Sequence, residues 1–335
     1  MKKLYKCEKY KKYNSRKIRR ANRRRYKLSG HKNKKKDGID GKHNKIIFCE
    51  NLFLESDDEK IFKYINSIEN IQNPTLDFSG TKNIDVGSAL YIKAYCDYLK
   101  HIAKDFKIYC SPKNQKMRQI LQHLEIYNYN LKITHKDVNC WVLKKWDSEH
   151  RENYGKVMME EILPNVLKDK IPSKEFSKIA GSLHELLANC SEHAYTDEYI
   201  LKNYYLIAGE YKTQYGSSNR FSFCILDIGQ GFKKSISNYG KFNQFLDIIG
   251  KNQQPDSTLL KKTIEGTFNA NKDKRSGRGT GLSEVAKNVK IIEGCLYLYS
   301  DKGCFNIING NQENLRERKA PLKGSIIEII LPISN

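Results

Sequence analysis

The sequence predicts an α/β protein with two folded domains behind a basic arm, and three observations carry that prediction. From Ile46 onward, short apolar strands alternate with amphipathic helices across short links. The net charge of +22 is lopsided: +17 sits in residues 1–45 and +5 in the other 290. In the C-terminal part, one glycine cluster follows an apolar strand and another opens a helix. Glycine there lets a ligand approach the backbone closely, and a helix start offers free N–H groups to an anion. A chain of 335 residues is long enough for two cores.

Residues 1–45 hold twenty Lys/Arg against Glu8, Asp37 and Asp40. The run Arg16-Lys17-Ile18-Arg19-Arg20 continues through Arg23-Arg24-Arg25-Tyr26-Lys27 to Lys34-Lys35-Lys36. Such a segment cannot bury enough apolar surface to fold alone, which predicts a disordered arm. Its charge suits nucleic acid or a ribonucleoprotein, bound without base reading; a solubilising tail and an organellar transit peptide are the other readings. No apolar stretch has the length of a signal core or a membrane span. Nine scattered cysteines with no C-x-x-C read as reduced, buried residues of a cytoplasmic protein, not as a disulfide framework or zinc site.

Residues 46–135 form the first predicted domain. Ile46–Phe48, Thr75–Phe78 and Lys107–Cys110 read as strands of a largely parallel sheet. Between and after them, Val86–Ala103 reads as a helix with Ala89, Leu90, Ala94, Leu99 and Ile102 inward, and Asn114–Leu124 as another.

Residues 136–335 form the second. A strand at Cys140–Leu143 and a charged helical link through Asp169 lead to the helix His184–Tyr195. There Leu183, Leu186, Leu187, Cys190 and Ala194 make an apolar stripe. Glu185, Asn189 and His193 share another face at four-residue spacing. A carboxamide oxygen at Asn189 suits Mg²⁺, and Glu185 can take a proton from a water. Phe221–Leu226 reads as a buried strand ending at Asp227-Ile228-Gly229-Gln230-Gly231-Phe232. A long polar segment follows, ending Lys272-Asp273-Lys274-Arg275-Ser276, which is the composition of a mobile loop. Gly277-Arg278-Gly279-Thr280-Gly281-Leu282 then opens a helix to Val289. A hairpin turning at Asp301-Lys302-Gly303 and a strand Gly324–Pro332 close the chain. A zinc-protease HExxH fails because position 188 is Ala. The glycines at 277, 279 and 281 lack dinucleotide-fold spacing, and no P-loop occurs.

The ordered set Glu185-x-x-x-Asn189, Asp227-x-Gly229-x-Gly231 and Gly277-x-Gly279-x-Gly281-Leu282 resembles the N box and two glycine boxes of the GHKL ATPases. The ending His193-Ala194-Tyr195 is most similar to the anti-sigma serine kinase branch, and Ser325 stands where the family's last strand often has threonine. The resemblance implies a Bergerat-type α/β sandwich binding ATP and Mg²⁺. By that resemblance, Asp227 would meet the adenine amino group and Asn189 would hold Mg²⁺. Glu185 would orient or deprotonate the nucleophile, and His193 would accompany them on the same helix face. The glycine-box backbone, Arg278 and Thr280 included, would wrap the phosphates, with Lys272, Lys274 and Arg275 in the lid. Residues 46–135, around Leu76-Asp77-Phe78-Ser79-Gly80 and Ile84-Asp85-Val86-Gly87-Ser88, resemble the STAS fold of anti-anti-sigma proteins, a surface for a protein partner. Gly87 occupies the position modified in that family, so Ser88 reads as a helix-start residue. No phosphoacceptor pattern surrounds His135 or His150, which disfavours a sensor histidine kinase. Two readings remain. One is a Mg-dependent ATPase whose slow turnover drives a conformational or homodimerisation cycle on nucleic acid. The other is a partner-switch regulator, a protein serine/threonine kinase or an ATP sensor without turnover. Both expectations place a mixed sheet under the helices.

Overall fold

Apolar residues on both faces of a strand require a layer on each side, and the core of this protein is arranged that way. The computed structural model describes residues 38–40, 44–135, 141–148, 154–157, 160, 162–164, 173–196, 199, 201–213, 216–237, 255–265 and 281–332. Most of the basic arm and of the charged link lie outside that set, as do 238–254 and 266–276 of the polar segment expected between Phe232 and Gly277.

The N-terminal elements are β1 (Gly38–Asp40), β2 (Lys45–Ile47), β3 (Asn51–Leu52), α1 (Leu54–Ile68), β4 (Thr75–Asp77), β5 (Asn83–Ile84), α2 (Val86–His101), β6 (Lys107–Tyr109) and α3 (Gln115–His123). Their sheet runs β1-β2-β4-β6, antiparallel at β1–β2 and parallel thereafter; β3 and β5 form a separate parallel pair. The parallel sheet expected from residue 46 is therefore present. Strand β1 draws residues 38–40 of the expected arm into that sheet, so the arm ends earlier than residue 45. Ile102, expected inward, is the C-cap of α2 and is exposed, because the helix ends one residue before it.

The rest comprises β7 (Val142–Asp147), α4 (Tyr154–Val157), α5 (Ser173–His193), β8 (Asn203–Thr213), β9 (Gly216–Asp227), α6 (Gly231–Ser237), α7 (Asp256–Ile264), α8 (Gly281–Ile291), β10 (Cys295–Ile308) and β11 (Gln312–Pro332). The five-stranded sheet runs β10-β11-β9-β8-β7, and every pairing in it is antiparallel, not mixed. Helix α7 lies inside the segment expected to be a polar loop; Leu259, Leu260 and Ile264 bury one of its faces.

The expected turn at Asp301–Gly303 is a correction. Cys295–Ile308 is one strand, and 301–303 is a shift of register within it. The guanidinium of Arg318 holds the break, donating to Asp301 O at 3.0 Å and Gly303 O at 2.8 Å. The hairpin turns instead at Asn309-Gly310-Asn311, where Asn309 and Gly310 both have positive φ. That is the Asn-Gly signal of a tight hairpin.

Alternate residues of the antiparallel sheet face different layers. Phe221, Phe223 and Ile225 of β9, with Ile327, Ile329 and Leu331 of β11, join the core made with α5, α7 and α8. Cys224 and Leu226, with Ile326 and Ile330, join the core made with α1 and α2. Helix α2 thus lies within a shared core, and its buried residues run unbroken from Val86 to Cys96. A helix apolar all round is one buried on all sides.

Polar bonds fix the same contact. The residues of β11 that pass the register break meet α1: Lys319 N and Ala320 N donate to the Glu59 carboxylate. Asn66 donates to Pro321 O, Arg316 pairs with buried Asp58, and Lys323 pairs with Glu69. Backbone groups freed by the break are satisfied by the neighbouring helix, as buried polar groups must be. All seven cysteines among the described residues are free and buried, as expected of reduced core residues. Among the described residues no helix is long and apolar enough to cross a membrane.

Candidate functional site

Helix α5 carries the site because its stripe is buried as the spacing requires. Leu183, Leu186 and Leu187 are fully enclosed, and Cys190 and Ala194 nearly so. That orientation leaves Glu185, Asn189 and His193 half covered along the neighbouring face.

Two clusters meet at consecutive residues of this helix. The first centres on Asp227 at the end of β9, which is 4% exposed. Its Oδ1 accepts Gly229 N at 2.9 Å, the Cys190 thiol lies 3.9 Å from Oδ2, and Ser325 donates a side-chain bond. Ser325 is the cross-strand partner of Asp227 in β11, so the expected serine faces the expected carboxylate. Burial pushes the Asp227 carboxyl up to about 6, although Gly229, Ser325 and Cys190 all pull it down.

The glycine loop after Asp227 is held at a close approach. A Cβ on Gly229 would lie 2.0 Å from Ala194 O, and one on Gly324 would lie 2.0 Å from Asp227 O, with φ +79 at Gly324. No side chain fits either position. Gln230 ties the loop to the end of α5, donating from its backbone to Ala194 O and from its side chain to His193 O. Ser300 braces the other side: its hydroxyl accepts Phe232 N at 2.9 Å and donates to Gly324 O at 3.1 Å. Gly231 abuts the same Ser300 and Asp301 side chains.

The second cluster lies where α8 begins. A Cβ on Gly281 would stand 3.1 Å from both the Asn189 amide and a Glu185 carboxylate oxygen. Leu282 is buried beside it in the core with Leu186 and Leu187. The backbone start of α8 therefore sits directly on the face that carries Glu185 and Asn189.

The structure brings Glu185, Asn189 and Gly281 together, and brings Asp227, Gly229, Gly231 and Ser325 together one helical step away. The imidazole of His193 stays on the half-exposed side, 3.9 Å from Glu192. Burial lowers its pKa, more than Glu192 raises it, which favours the neutral ring. Lys272, Lys274, Arg275, Gly277, Arg278, Gly279 and Thr280 lie outside the described residues.

Sequence reasoning missed Cys190, Gly324 and Ser300. Cys190 was readable only as a stripe residue, because nothing in the local pattern reveals that the stripe ends under Asp227. Gly324 and Ser300 act through pairing across the sheet, which no short motif encodes. No protein-family model matches this chain, and no curated protein matches it.

Proposed function

We propose that residues 136–335 form a GHKL-type ATP-binding domain, with the nucleotide held between α5, the Asp227–Phe232 loop and the start of α8. The observation that carries this reading is the meeting of the two clusters at Asn189 and Cys190. Asp227 supplies a buried acceptor for an exocyclic amino group, among glycines that allow a flat base to lie on the backbone. Gly281 opens a helix onto Asn189, where free N–H groups and a carboxamide oxygen would face phosphates and Mg²⁺. Mg²⁺ ordinarily keeps waters and phosphate oxygens as ligands, so a single protein oxygen is enough to place it. Glu185, beside Asn189, is the group positioned to orient or deprotonate a nucleophile.

The test is a titration of the full chain with a fluorescent ATP analogue, with and without Mg²⁺. Wild-type protein should bind, and Asn189→Ala should lose the Mg²⁺-dependent part of the affinity. An Asn189→Ala variant that binds as wild type in both conditions overturns the site.

We assign slow ATP hydrolysis driving a conformational cycle as the activity, with residues 1–45 engaging nucleic acid or ribonucleoprotein. Deleting residues 1–36, which spares the strand β1, should weaken duplex DNA binding and flatten its salt dependence while leaving ATP affinity unchanged. The packing of α1 and α2 on the nucleotide-binding sheet favours a second reading, a regulator whose STAS-like layer responds to nucleotide. In that reading Ser88 is not the switch, because it is fully enclosed in α2 and its backbone N–H is engaged by Asp85 at 2.7 Å. Phosphate released from ATP supports the enzyme; label transferred to a co-purifying protein supports the regulator.

A further inference from the structure

The parallel sheet of the N-terminal layer buries one face and leaves the other half covered. Ile46 and Leu76 are fully enclosed and Ile108 packs against the same core. The strand register puts Lys45, Ile47, Thr75, Asp77, Lys107 and Tyr109 on the opposite face, where Asp77 is enclosed and paired with Lys45 at 2.7 Å while Lys107 and Tyr109 are exposed. Parallel sheets are ordinarily covered on both sides.

The charge of the folded body gathers beside that face. Residues 100–135 contain seven Lys/Arg and two acids, a net +5 that equals the whole excess of residues 46–335. Everything else beyond the arm sums to zero. Where β6 begins, a groove of about 620 Å³ is lined by Lys100, Lys104, Lys107 and Tyr127, with Asp105 the one acidic residue among its described lining residues. Lys100 donates to Glu125 O at 3.3 Å and Lys104 to Glu69 O at 2.6 Å. Each ammonium has three donors, so both are held in place with donors to spare.

Aromatic rings stand among these cations. Tyr109 and Tyr127 are 46% and 47% exposed. Tyr127 packs 4.7 Å from Tyr129, whose ring carries the Arg118 guanidinium at 4.5 Å. The Lys45 ammonium lies 5.0 Å from the Tyr109 ring. Ring planes that are braced from behind and open in front are the geometry on which unstacked bases lie, with flanking cations on the phosphates.

We propose that β6 and the adjoining groove bind single-stranded nucleic acid, with bases on Tyr109 and Tyr127 and phosphates on Lys100, Lys104 and Lys107. Its residues are not those of the basic arm or of the nucleotide site, and survival or loss of ATP binding has no bearing on it. Anionic lipid or an acidic protein would use the lysines and could bury the rings, but neither would stack flat bases on them, which the comparisons below distinguish.

The test uses the full chain and a twenty-nucleotide oligothymidylate, with a duplex of equal length and phosphatidylserine vesicles as comparisons. Tyr109→Ala with Tyr127→Ala should weaken oligothymidylate binding by about tenfold or more, since each stacked base contributes several-fold. Duplex and vesicle binding, available to the arm, should change less than about twofold. Tyr109→Phe with Tyr127→Phe keeps the rings and should bind as wild type. Lys107→Glu should lower the slope of log affinity against log salt by about 0.7 or more. Photocrosslinks from a 4-thiothymidine oligonucleotide should fall on the peptides holding Tyr109 or Tyr127. Unchanged oligothymidylate binding in the double alanine variant, equal losses for duplex, a loss confined to vesicles, or crosslinks only within residues 1–45 would each overturn the proposal.

Discussion

The Ser222 hydroxyl of β9 donates to a Glu328 carboxylate oxygen of β11 at 2.5 Å, inside the layer where α2 meets the antiparallel sheet. Gly87 at the start of α2 is pressed against this pair; a Cβ there would lie 3.5 Å from the other Glu328 oxygen. The helix cap Asp85, buried nearby, accepts Ser88 N and Leu54 N. Burial, with the neighbouring charge of Asp85, raises the Glu328 carboxyl to about 8; burial raises Asp85 as well. The contact between the N-terminal layer and the sheet is therefore built over two carboxyl groups that resist ionisation.

Stability should carry the signature of that arrangement. A carboxyl whose pKa is higher folded than unfolded holds its proton more tightly in the native state. Its contribution is present below the ordinary glutamate value and lost as pH rises towards the folded value. Thermal unfolding should show falling stability between about pH 4.5 and about 8. Glu328→Gln keeps an acceptor for Ser222 and removes the ionisation. It should raise Tm by several degrees at pH 8 and by much less at pH 5, roughly 4–8 °C per kcal/mol being the ceiling for small domains and less for a chain of this length. An equal shift at both pH values would place the effect elsewhere; the other groups facing Glu328 are Asp85 and Glu55.

A buried pair elsewhere in the same contact should behave in the opposite way. Lys93 of α2 is 4% exposed and pairs with Asp97 at 3.0 Å. Asp97 also accepts the Tyr205 hydroxyl of β8 at 3.1 Å and faces Lys145 of β7 at 3.4 Å. Asp97→Ala leaves the ammonium only the exposed Glu125 carboxylate at 3.8 Å and should cost about 3 kcal/mol in urea unfolding at neutral pH, whereas Lys93→Met with Asp97→Leu should recover most of it. A single Asp97→Ala loss below about 1 kcal/mol would show that water reaches Lys93.

Asp227 should set stability and ligand binding against each other. Its folded pKa of about 6 exceeds the ordinary aspartate value, so stability should fall as pH rises from about 4 to about 6 and level off above. Nucleotide affinity should run the other way and rise through about pH 6, because the carboxylate is the stronger acceptor for an amino group. Asp227→Asn should flatten the pH 4–6 slope of Tm and lose nucleotide affinity by about tenfold at pH 7.5, as one charge-assisted bond becomes neutral. Fluorescence-detected melting and ATP titration across pH 5–8 measure both. Parallel pH slopes for stability and affinity would mean that Asp227 does not touch the base.

How much of this was legible in the sequence follows from the range of each interaction. The faces of α5 and the strand Phe221–Leu226 were readable because their burial follows a local period. So was the closing strand Gly324–Pro332, although its pairing of Ser325 with Asp227 was not. The parallel strands at Ile46, Thr75 and Lys107 were readable as well. What a local period cannot report is the second layer. Helix α1 and strand β8 went unread, although Ile61, Phe62 and Ile65 of α1 are fully buried. Their partners lie far off in the chain, as Glu59 with Ala320 illustrates. The misplaced hairpin turn has a local cause: Asp301-Lys302-Gly303 has turn composition and Asp301 has positive φ, but Arg318 holds it as a bulge within the strand, while Asn309-Gly310 makes the actual reversal.

The two polar residues on the site face of α5 should separate binding from turnover. Asn189 and Glu185 are one helical turn apart, and both lie against Gly281. If Asn189 places the metal, its loss removes Mg²⁺-dependent binding, because alanine offers no oxygen. If Glu185 acts on the nucleophile, its loss leaves binding intact. Glu185→Gln keeps the length and most of the packing against Gly281, so it should bind ATP within about threefold of wild type, yet release phosphate about 10²–10⁴-fold more slowly, the usual contribution of a positioned base. The measurements are an ATP titration and a phosphate-release assay on the same preparations, with melting curves to confirm that each variant folds. A Glu185→Gln protein with full turnover removes the catalytic assignment and leaves the binding site standing. A Glu185→Gln protein that no longer binds ATP reassigns Glu185 from the nucleophile to the metal or its waters, and Asn189→Ala then has to show the same loss for the two to share that role.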